Sequence, residues 1–167
     1  SSIDVFLILY FIDSRAVGLY GVAYAFSQLI GMFSTAFSYL SSPISSQLES
    51  GGKIDEAVNV QKTIARWVTI ATIAALVPMI VFASEFLALI YRTAYETAGF
   101  TLVILVVGFG LKGVLLTHGP ILEALGKSKL VAFNTTVSAI VNVVLNIVLI
   151  PTYGIEGAAI ATTVSFV

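Results

Sequence analysis

The chain has 167 residues, of which 58% are hydrophobic and 10% are charged, with a net charge of −1 and a mean hydropathy of +1.02. A soluble domain carries about 25% charged residues, and one of this size leaves too much surface exposed to hide so much apolar area. The composition therefore predicts a membrane protein. The lack of a basic tract argues against a nucleic-acid partner, and the lack of cysteine excludes disulfides and thiolate metal sites.

Charged residues divide the chain into apolar runs that are long enough to cross a membrane. A spanning helix needs about 20 apolar residues. The runs predict four complete spans between two incomplete ones, at roughly residues 1–12, 17–41, 66–90, 98–121, 130–150 and 155–167. The run at 130–150 is rich in β-branched residues, which favour strands, but it lacks the alternation of inward and outward residues that a membrane barrel strand needs. We therefore expect an all-α polytopic transmembrane bundle, with the whole chain, 1–167, a fragment of a longer protein.

The longest predicted loop covers residues 42–65, after Pro43 is expected to end the second helix. Seven Lys and Arg residues lie between the predicted spans. Five of them lie in or at the end of this loop and in the loop after the fourth span. Because cytoplasmic loops are enriched in Lys and Arg, we expect both loops to be cytoplasmic. Apolar residues recur at helical spacing after Gly51 and Gly52. This pattern predicts a short amphipathic helix on the cytoplasmic face that runs into the third span, either as a solvated lead-in or as a partner-binding helix.

A G-x-x-G-x-A-x-A pattern occurs twice, from Gly18 and again from Gly154. Small residues at this spacing allow helices to approach closely in a membrane. We expect Pro151 and Gly154 to turn the chain at the membrane surface. The residues expected to pack closely against neighbouring helices are Gly18, Gly21, Gly157 and Ala161.

Polar residues within the predicted spans are the candidate cavity residues, because each is costly in lipid. Lys112 either snorkels to one face or lines a wet central cavity. His118 lies beside a predicted kink, as a hydrogen-bonded structural residue or a proton relay. Asn142 and Asn146 share a helix face, where they bond a neighbouring helix or contact a polar substrate. Asp4 lies in the incomplete first span.

The sequence contains no recognisable enzyme site. It has no P-loop, no nucleophile paired with a base and no cluster of metal ligands. We therefore expect a protein that is not an enzyme and that uses neither a metal nor a cofactor.

The stretch NVVLNIVLIPTYGIEGAAIATTVS, which begins at Asn142, resembles the last part of the oligosaccharide flippase (Wzx-like, polysaccharide biosynthesis) family. This family belongs to the multidrug/oligosaccharidyl-lipid/polysaccharide (MATE-like) superfamily. The segments VGLYGVAYAFSQL and LGKSK also fit the family pattern, and the resemblance covers nearly the whole chain.

The resemblance implies two six-helix bundles around a cavity that opens alternately to each side. The chain would supply most of the second bundle, and its partners would be the missing N-terminal half, the lipid bilayer and a polyprenyl-diphosphate-linked oligosaccharide. The implied activity is flipping this lipid across the cytoplasmic membrane for surface polysaccharide assembly. In that setting Lys112 suits an anionic diphosphate, an assignment that rests on its position and not on a family motif.

Two other functions stay open. The first is a multidrug or cation antiporter on the same fold. Such a protein favours buried acids over buried bases, and Asp4, an acid in a predicted span, is consistent with it. A membrane scaffold or a glycan polymerase subunit is the second alternative, although a polymerase needs longer outer loops than this chain has.

Overall fold

The computed structural model describes residues 2–91, 93–115 and 128–166. Within these ranges almost every residue is helical and none is in a strand, which confirms the predicted all-α class. The helices, in chain order, are α1 (Ser2–Phe11), α2 (Ser14–Ser50), α3 (Ile54–Val81), α4 (Ala83–Tyr91), a 3-10 helix (Thr93–Ala98), α5 (Gly99–Leu115) and α6 (Ser128–Ser165).

Three stretches of the described residues are long and apolar enough to cross a membrane: Asp55–Val81, Ala94–Val114 and Ala132–Ser165. Many large apolar side chains on their surfaces are exposed to the surroundings. The chain is therefore a multi-pass membrane protein, in which lipid replaces water around these faces.

The region predicted as the loop 42–65 is mostly helical. Because α2 continues past Pro43 to Ser50 and α3 begins at Ile54, only a short turn separates the two helices. Gly52 makes this turn with a φ of 74°, a conformation that glycine adopts without a steric penalty. The predicted amphipathic helix is the first part of α3 and continues into the apolar part of the same helix, as its predicted run into the next span requires.

Helix α5 lies at the centre of the bundle and packs against α2, α3 and α6. Leu102, Leu105, Val106 and Phe109 repeat at helical spacing and are all buried. Gly108 lets α6 approach closely, because a Cβ at this position would collide with the side chain of Thr163. Thr163 Oγ1 also donates a hydrogen bond of 3.1 Å to the carbonyl oxygen of Ile104, which fixes α6 on α5.

Helix α6 folds back on itself at Gly154, where φ is 61° and ψ is −138°. Only glycine adopts such a conformation readily. In a straight helix, Asn142 and Thr162 would lie about 30 Å apart. Their side chains are in fact 3.4 Å apart, so the arm 128–153 and the arm 155–165 run antiparallel as a hairpin.

Candidate functional site

Asp4 is fully buried, although it lies on a helix whose neighbouring residues are exposed. Its carboxylate accepts hydrogen bonds from three other helical segments. Tyr20 OH of α2 donates to Oδ2 at 3.1 Å, and Asn146 Nδ2 of the first α6 arm donates to Oδ1 at 2.9 Å. Thr162 Oγ1 of the second α6 arm donates to Oδ2 at 3.0 Å. A charged acceptor makes each of these bonds stronger than a neutral pair would.

Further polar groups extend this arrangement within α6. Asn146 Nδ2 also donates to Asn142 Oδ1 at 3.1 Å, since the two residues are four apart on one helix face. Asn142 Nδ2 lies 3.4 Å from Thr162 Oγ1 and 3.5 Å from Ser165 Oγ. We call the six side chains the Asp4 cluster: Asp4, Tyr20, Asn142, Asn146, Thr162 and Ser165.

One acceptor in the Asp4 cluster has no donor. Asn146 Oδ1 is buried and accepts no hydrogen bond from the described residues. A buried polar atom without a partner is rare and calls for an explanation. It belongs to the amide whose nitrogen donates to Asp4 Oδ1, so an unpaired acceptor and a buried acid lie on two residues in direct contact. The described residues contain no group of three or more His, Cys, Asp or Glu side chains that suits a transition metal.

Lys112 is half-buried on α5 and is accommodated by aromatic rings. Its Nζ lies 4.1 Å from the ring centroid of Phe166 and 5.9 Å from that of Phe109. An ammonium group is attracted to the face of an aromatic ring, and the attraction grows when water is excluded. Within the described part of the chain, Lys112 makes no hydrogen bond or ion pair, so these contacts leave its N–H donors available.

A row of aromatic side chains connects the Asp4 cluster to Lys112. Tyr20 stacks on Tyr24 with centroids 5.9 Å apart, and Tyr24 meets Phe109 edge to face at 5.4 Å. Phe109 then contacts Phe166 at 5.0 Å. The two charged residues therefore belong to one continuous packed region, although the hydrogen bonds of Asp4 do not reach Lys112.

The structure brings together three of the five predicted cavity residues: Asp4, Asn142 and Asn146. Lys112 lies at the far end of the aromatic row, and His118 lies outside the described residues. Sequence reasoning missed Tyr20 and Thr162 as partners of Asp4, and Ser165 as a neighbour of Asn142. Each is a polar side chain in an apolar run, and all three fall within segments compared with the family pattern, Tyr20 in VGLYGVAYAFSQL and the other two in the stretch that begins at Asn142.

The residues predicted for turning and close packing behave differently from one another. A Cβ at Gly157 would collide with the carbonyl oxygen of Leu149 in the other arm of α6, and Ala161 is fully buried. Pro151 is exposed and precedes the kink at Gly154. By contrast, a Cβ on the remaining two glycines, Gly18 and Gly21, would meet no described atom within 4 Å. The close packing of this second pair therefore stays a prediction.

Comparison with known proteins identifies the class. The MatE family model matches residues 1–148, so the chain belongs to the MatE family. This result confirms the predicted relationship to the multidrug/oligosaccharidyl-lipid/polysaccharide superfamily.

Two curated relatives come from the archaeon Haloferax volcanii. The probable low-salt glycan biosynthesis flippase Agl15 is 30% identical over 169 residues, and the probable flippase AglR is 30% identical over 176 residues. Each alignment covers 99% of this chain but only 35% of the relative, so the chain spans about a third of the length of these proteins. No solved structure matches the chain significantly.

Proposed function

We propose that this chain is part of a flippase that moves a polyprenyl-diphosphate-linked oligosaccharide across the cytoplasmic membrane. The observation that carries the proposal is the similarity of 99% of the chain to two proteins named as flippases, one of them in glycan biosynthesis. The remaining part of the same protein would supply the other bundle. Alternating access between the two bundles would then move the lipid without forming or breaking a covalent bond, so the protein is not an enzyme in this proposal.

In this proposal Lys112 binds the diphosphate of the substrate. Its ammonium group lies against the rings of Phe166 and Phe109, and none of its N–H groups donates to a described residue. A cation in a partly desolvated cavity attracts an anion far more strongly than it would in water. The aromatic contacts would keep Lys112 in place when the cavity is empty. Little side-chain entropy would then be lost when the substrate binds.

The first experiment deletes the full-length gene in the organism that encodes it. Polyprenyl-diphosphate-linked oligosaccharide is then extracted and measured on the cytoplasmic side of the membrane. We expect this lipid to accumulate while surface glycan is lost, and reintroduction of the gene to reverse both changes. Normal levels of the lipid together with normal surface glycan would contradict the proposal.

The full burial of Asp4 favours a second candidate, a cation antiporter on the same fold. In that function the Asp4 cluster would take up the coupling proton or cation, with Asn146 Oδ1 as an additional ligand. The deletion strain distinguishes the two functions. An antiporter predicts new sensitivity to cationic compounds with unchanged lipid-linked glycan, whereas a flippase predicts the opposite pattern.

A further inference from the structure

The first turns of α3 carry an open groove that belongs to neither of the charged sites described above. It has a volume of about 680 Å³ and is lined by Lys62, Thr63, Arg66, Trp67 and Ile70. All of these side chains are exposed. The Asp4 cluster takes no residue from α3, so the groove is independent of it.

The two cations of the groove lie one helical turn apart. Lys62 and Arg66 are separated by four residues, so their side chains lie on the same face of α3. Among the side chains that the structure describes, neither has a carboxylate within 4.0 Å. Glu56 is instead paired with Lys53 at 3.2 Å. The groove therefore presents two positive charges that no described side chain neutralises.

The exposed surface of α3 changes from cationic to apolar directly after these residues. Trp67 is 60% exposed, and the next exposed residues along the helix, Ile70 and Ile73, are 51% and 54% exposed. Tryptophan is enriched at the boundary between headgroups and acyl chains. Since α3 is long and apolar enough to cross a membrane, this change in chemistry is the one expected where a helix passes from lipid phosphates into acyl chains.

We propose that this groove binds the phosphate of an anionic membrane lipid. Arg66 presents a planar fork of N–H groups that matches two phosphate oxygens, and Lys62 adds a second positive charge. Trp67 and Ile70 line the start of the acyl chains. The charge selects an anionic lipid over a zwitterionic one, since the two cations meet a net negative headgroup in only the first case.

The test uses the full-length protein, purified in mild detergent and titrated with phosphatidylglycerol or phosphatidylcholine while native mass spectrometry counts bound lipids. We expect phosphatidylglycerol to bind more tightly. Lys62→Gln and Arg66→Gln should each weaken its binding about five-fold, and the effect should multiply in the double variant. Arg66→Lys keeps the charge but not the planar fork, and its affinity should lie between those of the unmodified protein and Arg66→Gln.

Lys53→Gln is the matched control, because it removes a cation from the same end of α3 but outside the groove. It should leave phosphatidylglycerol binding unchanged. Equal binding by the double variant and the unmodified protein would overturn the proposal, and so would an equal loss in Lys53→Gln. Displacement of the lipid by millimolar inorganic phosphate would also overturn it, because the groove would then be a site for soluble anions.

Discussion

Asp4 and Lys112 are both ionisable residues in apolar helices, but their surroundings differ. The Asp4 carboxylate accepts hydrogen bonds from α2 and from both arms of α6. The Lys112 ammonium group lies against two aromatic rings and bonds no described polar group. The first arrangement links three helical segments to α1, while the second holds a charge against ring faces, where the proposed function has it bind the substrate. Hydrogen bonds compensate for the burial of Asp4, an arrangement suited to stability. Aromatic rings compensate for the partial burial of Lys112, an arrangement suited to binding.

The largest effect is expected from Asp4→Ala, which leaves three donors without their shared acceptor. Unsatisfied buried groups cost about 1–3 kcal/mol each, and some re-pairing of hydroxyls should limit the total loss of stability to about 3–5 kcal/mol. Thermal unfolding of the full-length protein in detergent measures the change. Asp13→Ala is the control, since Asp13 is exposed and only caps α2 through a 2.7 Å bond from the Ala16 N–H. It should cost about 1 kcal/mol. Equal losses in the two variants would mean that the Asp4 cluster does not hold the helices together.

The second-largest effect is expected from a change in the hairpin of α6, on which the surroundings of both Asp4 and Lys112 depend. Gly157→Ala places a methyl group against the carbonyl oxygen of Leu149, and we expect the strain to cost about 1–3 kcal/mol. Gly21→Ala adds the same methyl group where no described atom lies within 4 Å, and should be neutral or stabilising by up to about 1 kcal/mol. The same unfolding measurement compares the two. If Gly157→Ala were as stable as Gly21→Ala, the arms of α6 would not pack as closely as described.

Lys112→Ala should affect transport rather than folding. We expect at least a tenfold loss of flipping, the equivalent of about 1.4 kcal/mol of lost binding, with normal insertion in the membrane. Lys112→Arg keeps the charge and should retain part of the activity. Surface glycan in the complemented deletion strain is the measurement, and protein abundance is the control. Full activity of Lys112→Ala would remove Lys112 from the proposed substrate site.

The smallest effect is expected from Phe166→Leu, which removes the ring nearest to Lys112 Nζ but keeps an apolar side chain. A cation–π contact of this kind contributes about 0.5–1 kcal/mol, so flipping should fall about two- to five-fold. Phe166→Tyr retains a ring face and should behave like the unmodified protein in the same complementation assay. If Phe166→Leu also lost no activity, the ring would not be needed to position Lys112.

The sequence predicts the helical class because its apolar runs are long and lack alternation. It also places Asn142 and Asn146 on one face, since that follows from their spacing alone. It does not predict that Tyr20 and Thr162 share the Asp4 carboxylate. This contact depends on the reversal at Gly154, which joins residues that are distant along the chain. Nor does a repeated glycine pattern show which helix face will be packed, so the close packing of Gly18 and Gly21 stays a prediction.

The region 42–65 shows a second limit of sequence reasoning. Pro43 was expected to end a helix, but the helix continues through it, because neighbouring groups in a membrane protein can compensate for one missing backbone hydrogen bond. The chain turns instead at Gly51 and Gly52, and Gly52 adopts a positive φ of 74°. Conformational freedom at the double glycine therefore decides the boundary more than the proline does.

The central claim is tested most directly with the full-length protein reconstituted in liposomes that contain a polyprenyl-diphosphate-linked oligosaccharide. An impermeant reagent that modifies only the outward-facing glycan measures how quickly this lipid crosses the bilayer. We predict rapid crossing with the unmodified protein and at least tenfold slower crossing with Lys112→Ala. Crossing no faster than in protein-free liposomes, together with proton-driven export of a cationic compound, would contradict the flippase function and identify an antiporter.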